Sequence, residues 1–257
     1  MHIRDFTIDE SSGVINDLRG TYLGTVEENT IYKNPYNGKC VKTGIEHLCE
    51  LGITHVHLMP IFDFGSVDER FPGSNNRNWG YDPKNFNVPE GSYCSNPYNP
   101  VTRILELRQM IMKFHERGIR VVMDMVYNHM MSTVNMDNIV PGYYFRSDYL
   151  GRYTNGSGCG NEVASERPMV RKYIKDSVKY WAQEYKIDGY RFDLAGLIDT
   201  TTIIELTNEL RAEIDPNIII YGEPWQAGGS SLSASMQTLK GSQAGNGFGV
   251  FNDNFRN

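Results

Sequence analysis

Two carboxylates stand where this chain could do chemistry. Asp193 closes the run Gly189-Tyr-Arg-Phe-Asp193, and Glu223 closes Ile218-Ile-Ile-Tyr-Gly-Glu223, thirty residues further on. That interval fits one strand–helix–strand unit, which would set the two side by side on neighbouring parallel strands. Side chains alternate along a strand, so Arg191 and Asp193 share a face, as do Tyr221 and Glu223. Neighbouring strands lie about 4.8 Å apart, so the carboxyl groups are expected roughly 5–5.5 Å from each other. At that spacing one carboxylate can attack an acetal carbon while the other protonates the leaving oxygen. An arginine beside Asp193 would keep it ionised, as a nucleophile requires. The apolar run Ile218–Ile220 and Trp225 would give Glu223 the drier setting that suits a proton donor. Taken singly, each motif reads as readily as a structural Arg–Asp pair or a surface glutamate.

The elements that must hold these groups can be read from periodicity. Ile45, Leu48 and Leu51 predict a short helix closed by Gly52, followed by a buried strand, Thr54-His-Val-His-Leu-Met-Pro60. Ile104, Leu107, Ile111 and Phe114 repeat at helical spacing up to Gly118, a left-handed stop, and Arg120–Val126 reads as the next strand. Val170, Ile174, Val178 and Trp181 mark a helix with Ser165 and Pro168 in its N-terminal roles, leading to the strand that ends at Asp193. Ile203, Leu206, Leu210 and Ile214 form another helical face, closed before Pro216. Alternation of this kind means an α/β fold with a parallel sheet and outer helices. Two long segments near 61–101 and 127–165, rich in Gly, Asn, Pro and Tyr, follow strands and so belong on the strands' C-terminal side. No repeat or linker divides residues 1–257, and one domain is expected.

The bulk properties exclude several classes. Net charge is −6 with acids and bases interspersed, and no basic stripe marks the chain for nucleic acid. No apolar run approaches the roughly 20 residues needed to span a bilayer, and Met1–Thr7 does not read as a signal peptide. The four cysteines lack CxxC spacing and are expected as free thiols. Aromatic residues cluster in the Gly/Asn/Pro-rich segments, where flat rings with polar edges suit sugars as well as ordinary packing.

Six ordered blocks carry a resemblance. Gly52–Pro60, Asn78-Trp-Gly-Tyr-Asp-Pro83, Pro89-Glu-Gly-Ser-Tyr93, Asp124-Met-Val-Tyr-Asn-His129, Gly189–Gly196 and Tyr221-Gly-Glu-Pro-Trp225 are similar, in order, to blocks of the α-amylase superfamily of glycoside hydrolases. With Ala164–Met169, the second and third look most like type I pullulanases, which cleave α-1,6 branch linkages. The resemblance implies a (β/α)8 barrel and a retaining mechanism on α-glucan oligosaccharides or polysaccharides. It makes Asp193 the nucleophile, Glu223 the general acid/base and Arg191 the residue that orients Asp193. Asp124 and His129 would hold the sugar, Tyr81 would stack on its ring, and Trp225 would contact the leaving-group side. Asn128 falls where many α-amylases place a calcium ligand; otherwise no cofactor is implied.

The pattern also breaks. The family's third acid belongs to a His-Asp pair, and no such pair occurs in the chain. Asp253 resembles a different, earlier segment. Strands near 2–7, 54–59, 120–126, 187–193, 218–223 and 248–252 would make six of eight, so the chain is expected to be part of a larger barrel. On that expectation it lacks normal activity alone and self-associates through open sheet edges. Alternatives within the superfamily are a neopullulanase or α-amylase cutting α-1,4 bonds; outside it stands a non-catalytic glucan binder. A metal hydrolase is suggested only by His55-Val-His57, which reads better as packed strand histidines.

Overall fold

The computed structural model describes residues 1–71 and 78–256; residues 72–77 of the 61–101 segment lie outside it. Its strands are β1 (Ile31–Lys33), β2 (Cys40–Lys42), β3 (His55–Leu58), β4 (Phe62–Phe64), β5 (Pro83–Pro89), β6 (Arg120–Met125), β7 (Gly189–Phe192), β8 (Ile219–Gly222) and β9 (Gly249–Val250). Its helices are α1 (Ile3–Thr7), α2 (Gly44–Glu50), α3 (Pro100–Glu116), α4 (Val134–Asp137), α5 (Pro168–Tyr185), α6 (Thr200–Glu213) and α7 (Asp253–Arg256).

Five strands form one parallel sheet in the order β3-β6-β7-β8-β9. Each strand neighbours the next one used, with α3, α5 and α6 as the crossovers, which is the winding of a (β/α)8 barrel that does not close. The outward-facing residues Val56, Leu58, Met123, Met125, Tyr190, Phe192 and Ile220 are buried under the helices. The inward row is polar: Asp124 pairs in register with Arg191, and Arg191 with Tyr221. The sheet curls far enough that Tyr221 of β8 reaches His57 of β3, three strands away, at 3.0 Å.

The helices follow their sequence signals. Asn99 caps α3 through the Val101 N–H, Pro100 opens it, and Gly118 at φ +71 ends it. Asp199 caps α6 by accepting from Thr202 N at 3.0 Å. Pro168 opens α5, but Ser165 does not cap it: its hydroxyl accepts from Asp199 N (2.9 Å) and Arg146 Nη2 (3.3 Å). That hydroxyl instead joins the start of α6 to the 127–165 segment. Trp181 of α5 is fully buried, and its indole donates to Phe86 O of β5 at 2.9 Å.

One expected strand is a helix. Residues 3–7 form α1, because the His2 ring accepts from Asp5 N at 3.1 Å and caps a turn there. Only Met1 pairs like a strand, donating to His57 O and accepting from Met59 N (2.6 and 2.9 Å) on the free side of β3. The segments expected as long loops also hold structure: β4 and β5 form an antiparallel pair, and α4 lies between 127 and 165. The four cysteines are unpaired, and among the described residues no helix is long and apolar enough to cross a membrane.

Candidate active site

The inward row of the sheet ends in one ion cluster. Arg191 Nη1 contacts Asp124 Oδ1 at 2.7 Å and Asp193 Oδ1 at 2.8 Å, while Nη2 contacts Glu223 Oε1 at 2.5 Å. One guanidinium therefore joins three carboxylates carried on β6, at the end of β7 and just beyond β8. Its five fixed N–H groups make arginine suited to this, where a lysine's single point charge would not be. Asp124 is the most enclosed, its side chain 2 % exposed, against 13 % for Asp193 and 17 % for Glu223. Its second oxygen accepts from the Tyr81 hydroxyl at 2.8 Å and lies 3.5 Å from His57 Nε2.

Electrostatics follow from that crowding. Burial pushes the Asp193 carboxyl up to about 6 from 3.8; Arg191 and the Asn128 hydrogen bond oppose the rise, and the Asp124 and Glu223 charges add to it. Arg191 opposes the rise as expected of an arginine beside a carboxylate; desolvation outweighs it, yet the group remains mostly ionised at neutral pH. Burial works against the charge on Arg191 as well, but its three carboxylates hold it above the ordinary guanidinium range. Burial and the Asp124 charge push the Tyr81 hydroxyl up, so it remains a donor.

Asp193 and Glu223 are also tied through backbone. Glu223 N donates to Phe192 O at 3.1 Å, and Leu194 N donates to Glu223 Oε2 at 3.0 Å. Leu194 stands at φ +40, ψ +51, a left-handed conformation that costs a non-glycine residue about 1–2 kcal/mol. Gly196 is a necessity of close approach, since a Cβ there would lie 2.5 Å from Trp225 O.

A cavity of about 310 Å³ opens onto the cluster, with His57, Tyr81, Asp124, Arg191, Glu223 and Trp225 in its wall. Phe251 completes one side, its ring 6.2 Å from that of Trp225 and 5.9 Å from the Arg191 guanidinium. Six of the seven expected site residues thus cluster with the guanidinium or line the cavity. His129 does neither: it is buried, its Nε2 donating to Tyr81 O at 3.0 Å and its Nδ1 lying 2.6 Å from Asn128 Oδ1. It supports the Tyr81 turn from behind. His57 is not the packed strand histidine expected; its side chain is one-third exposed in the cavity wall, with Tyr221 and Asp124 as neighbours.

Asn128 does not fit a calcium ligand. Its amide nitrogen donates to Asp193 O (3.0 Å) and Oδ2 (2.8 Å), and its oxygen is buried against the His129 ring, 2.6 Å from Nδ1. Among the described residues, one acidic trio has oxygens within 4.8 Å of each other: Asp63, Glu69 and Glu90, away from the cavity. Its oxygens are already used, Glu69 by Arg103 and Glu90 by the N–H groups of Phe64 and Ser92.

Residues 38–140 match the α-amylase catalytic domain. The pullulanase of Bacillus acidopullulyticus superposes with a TM-score of 0.93 at 51 % identity, over 100 % of this chain and 31 % of that one. Over residues 38–140 the chain is similar to the α-amylase family. It is likewise similar to pullulanases: 44 % identical to that of Bacillus subtilis over 99 % of this chain and 34 % of the relative, and 34 % identical to the chloroplastic pullulanase 1 of Arabidopsis thaliana over 100 % and 30 %. A pullulanase of Paenibacillus barengoltzii, solved in complex with maltohexaose and α-cyclodextrin, superposes at 0.91 with 44 % identity, over 100 % of this chain and 39 % of that one. The chain spans between about a fifth and a third of the length of the curated relatives it matches.

Proposed function

We propose that this chain carries the nucleophile and the general acid/base, two of the three expected acids, of a retaining glycoside hydrolase that cleaves α-1,6 branch linkages in α-glucans. The observation that carries the reading is the single Arg191 guanidinium holding Asp193 and Glu223 side by side at the tips of adjacent strands, with Asp124 behind it. Asp193, mostly ionised near neutral pH, attacks the anomeric carbon, and Glu223 gives a proton to the departing glycosidic oxygen. Glu223 then takes a proton from the water that releases the sugar from Asp193. Arg191 and Asp124 fix the nucleophile's direction. Tyr81 and Trp225, both in the cavity wall, offer aromatic faces to the sugar.

The α-1,6 preference rests on the pullulanase likeness over the whole chain rather than on any one contact. Two assays test the proposal. A ring-fluorinated glycosyl fluoride needs no protonation of its leaving group, so it should label Asp193 covalently, with the adduct located by peptide mass spectrometry; no adduct, or an adduct elsewhere, overturns the nucleophile assignment. Such product as the chain releases from pullulan, at the reduced rate expected with one acid absent, should be maltotriose, whereas panose or isopanose would show α-1,4 cleavage, and neither product would favour a glucan-binding role.

A further inference from the structure

The peptide bond that follows the proposed nucleophile makes a contact that neither charge nor packing requires. Leu194 holds φ +40 although it carries a branched side chain, and no glycine relieves it. Its N–H, bonded directly to the Asp193 carbonyl carbon, points at Glu223 Oε2 at 3.0 Å. The other oxygen of Glu223 meets Arg191 Nη2 at 2.5 Å. Two donors at fixed positions, one on each oxygen, set both the plane and the tilt of the carboxylate; either alone would leave it free to swing.

The surrounding turn holds this arrangement in place. Gly196 N donates to Glu223 O at 3.1 Å, and Leu197 N to Leu194 O at 2.9 Å. A Cβ on Gly222 would meet the Ala195 Cβ at 2.8 Å, so the two strand ends pack with room for no side chain on Gly222. A left-handed residue between two such clamps has no room to relax, and strain of this kind persists where its surroundings over-determine it.

We infer that Leu194 is a positioning residue: its left-handed φ and ψ let the chain turn into residues 195–197 while the Asp193–Leu194 amide stays aimed at Glu223, and so couple the orientation of the acid/base to that of the nucleophile. The inference rests on the proposed roles of Asp193 and Glu223. Its consequence is that Glu223 follows Asp193 as a unit, and that disturbing the turn harms proton donation more than nucleophilic attack.

Three variants test it in the chain as it stands. Valine is the poorer choice in the left-handed region and asparagine a tolerant one, so Leu194→Val should turn the N–H away while Leu194→Asn keeps it. With maltotriosyl fluoride, whose leaving group needs no proton, Leu194→Val should keep nearly the parent's kcat/KM, which reports formation of the glycosyl-enzyme before Glu223 is needed as a base; with pullulan kcat/KM should fall about tenfold more. Leu194→Asn should stay within about twofold of the parent on both. Independently, in protein labelled with nitrogen-15 leucine, the Leu194 amide proton should resonate downfield and move upfield in Glu223→Gln. An unmoved resonance overturns the inference, as does equal loss on both substrates or an asparagine variant as impaired as the valine one. A responsive amide without turnover of either substrate supports the contact and counts against the hydrolase reading alone.

Discussion

Replacing Asp193 by asparagine should make the protein more stable, but only at the higher end of its pH range. The folded carboxyl ionises at about 6 rather than 3.8, chiefly because it is buried. At about 1.4 kcal/mol per pH unit, holding it ionised in the folded state costs about 3 kcal/mol. The sign follows from proton binding: between those two values the folded chain holds more protons than the unfolded one, so stability falls as pH rises toward 6 and is level beyond it. The asparagine side chain removes that penalty but gives up a contact, since the Asn128 amide nitrogen then faces another amide in place of Oδ2 and keeps only the main-chain oxygen at 3.0 Å. Losing one buried hydrogen bond costs about 1 kcal/mol, which leaves a gain of about 2 kcal/mol or, in a chain of this size, roughly 4–8 °C in Tm. The assay is reversible denaturant unfolding of both proteins from pH 4 to 8. The advantage of Asp193→Asn should be absent near pH 4, grow up to about pH 6 and then stay constant. An asparagine variant no more stable than the parent at pH 7.5, or one whose advantage grows toward acid, refutes the reasoning.

Other perturbations give separate readings of the same structure. Gly196→Ala places a Cβ 2.5 Å from Trp225 O and should destabilise by about 1–3 kcal/mol in denaturant unfolding while weakening maltotriose binding followed by tryptophan fluorescence. Tyr81→Phe removes the 2.8 Å bond to Asp124 but keeps the ring, so glucan affinity should change less than turnover; the opposite order would mean that the hydroxyl, not the face, meets the sugar. Glu90, fully buried, is pushed up to about 7 by desolvation, so the parent loses stability between about pH 4.5 and 7. Glu90→Gln should flatten that part of the stability profile, and an unchanged slope would mean the group is not protonated in the fold. Trp181→Phe deletes a buried indole and its bond to Phe86 O, with an expected cost of about 2–4 kcal/mol in denaturant unfolding.

Much of this is legible in the sequence because strand alternation and helical spacing are local. Counting residues along the expected strands sets Asp193, Glu223, Arg191 and Asp124 on one face, and the register pairs Asp124 with Arg191 and Arg191 with Tyr221 accordingly. His57 escapes such counting for a non-local reason. Its distance from Pro60 suggests a position low in the barrel, but the curl of the sheet brings Tyr221 across to it and opens the cavity at its level. His129 fails the other way: proximity in sequence to Asp124 implies a shared surface, yet the turn after β6 carries its ring behind Tyr81. Residues 3–7 have apolar spacing that suits either a strand or a helix, and the His2 ring capping Asp5 N, invisible in a pattern of hydrophobicity, decides it. Nor does any periodicity announce the left-handed Leu194, which exists because two strand ends close on it.

The cluster carries more negative charge than it neutralises. Asp124, Asp193 and Glu223 face one guanidinium in a setting with little water, and folding alone would favour fewer acids there. The imbalance has a use under the proposed reaction. Acetal cleavage passes through a transition state in which positive charge builds on the sugar ring and its anomeric carbon. Fixed negative charge beside that carbon is then already oriented and need not reorganise as the bond breaks. The cost appears in the resting protein as the upward displacement of Asp193, and the sugar cation is the partner that relieves it. Stability gained by Asp193→Asn and turnover lost by the same change would then be two measurements of one uncompensated charge.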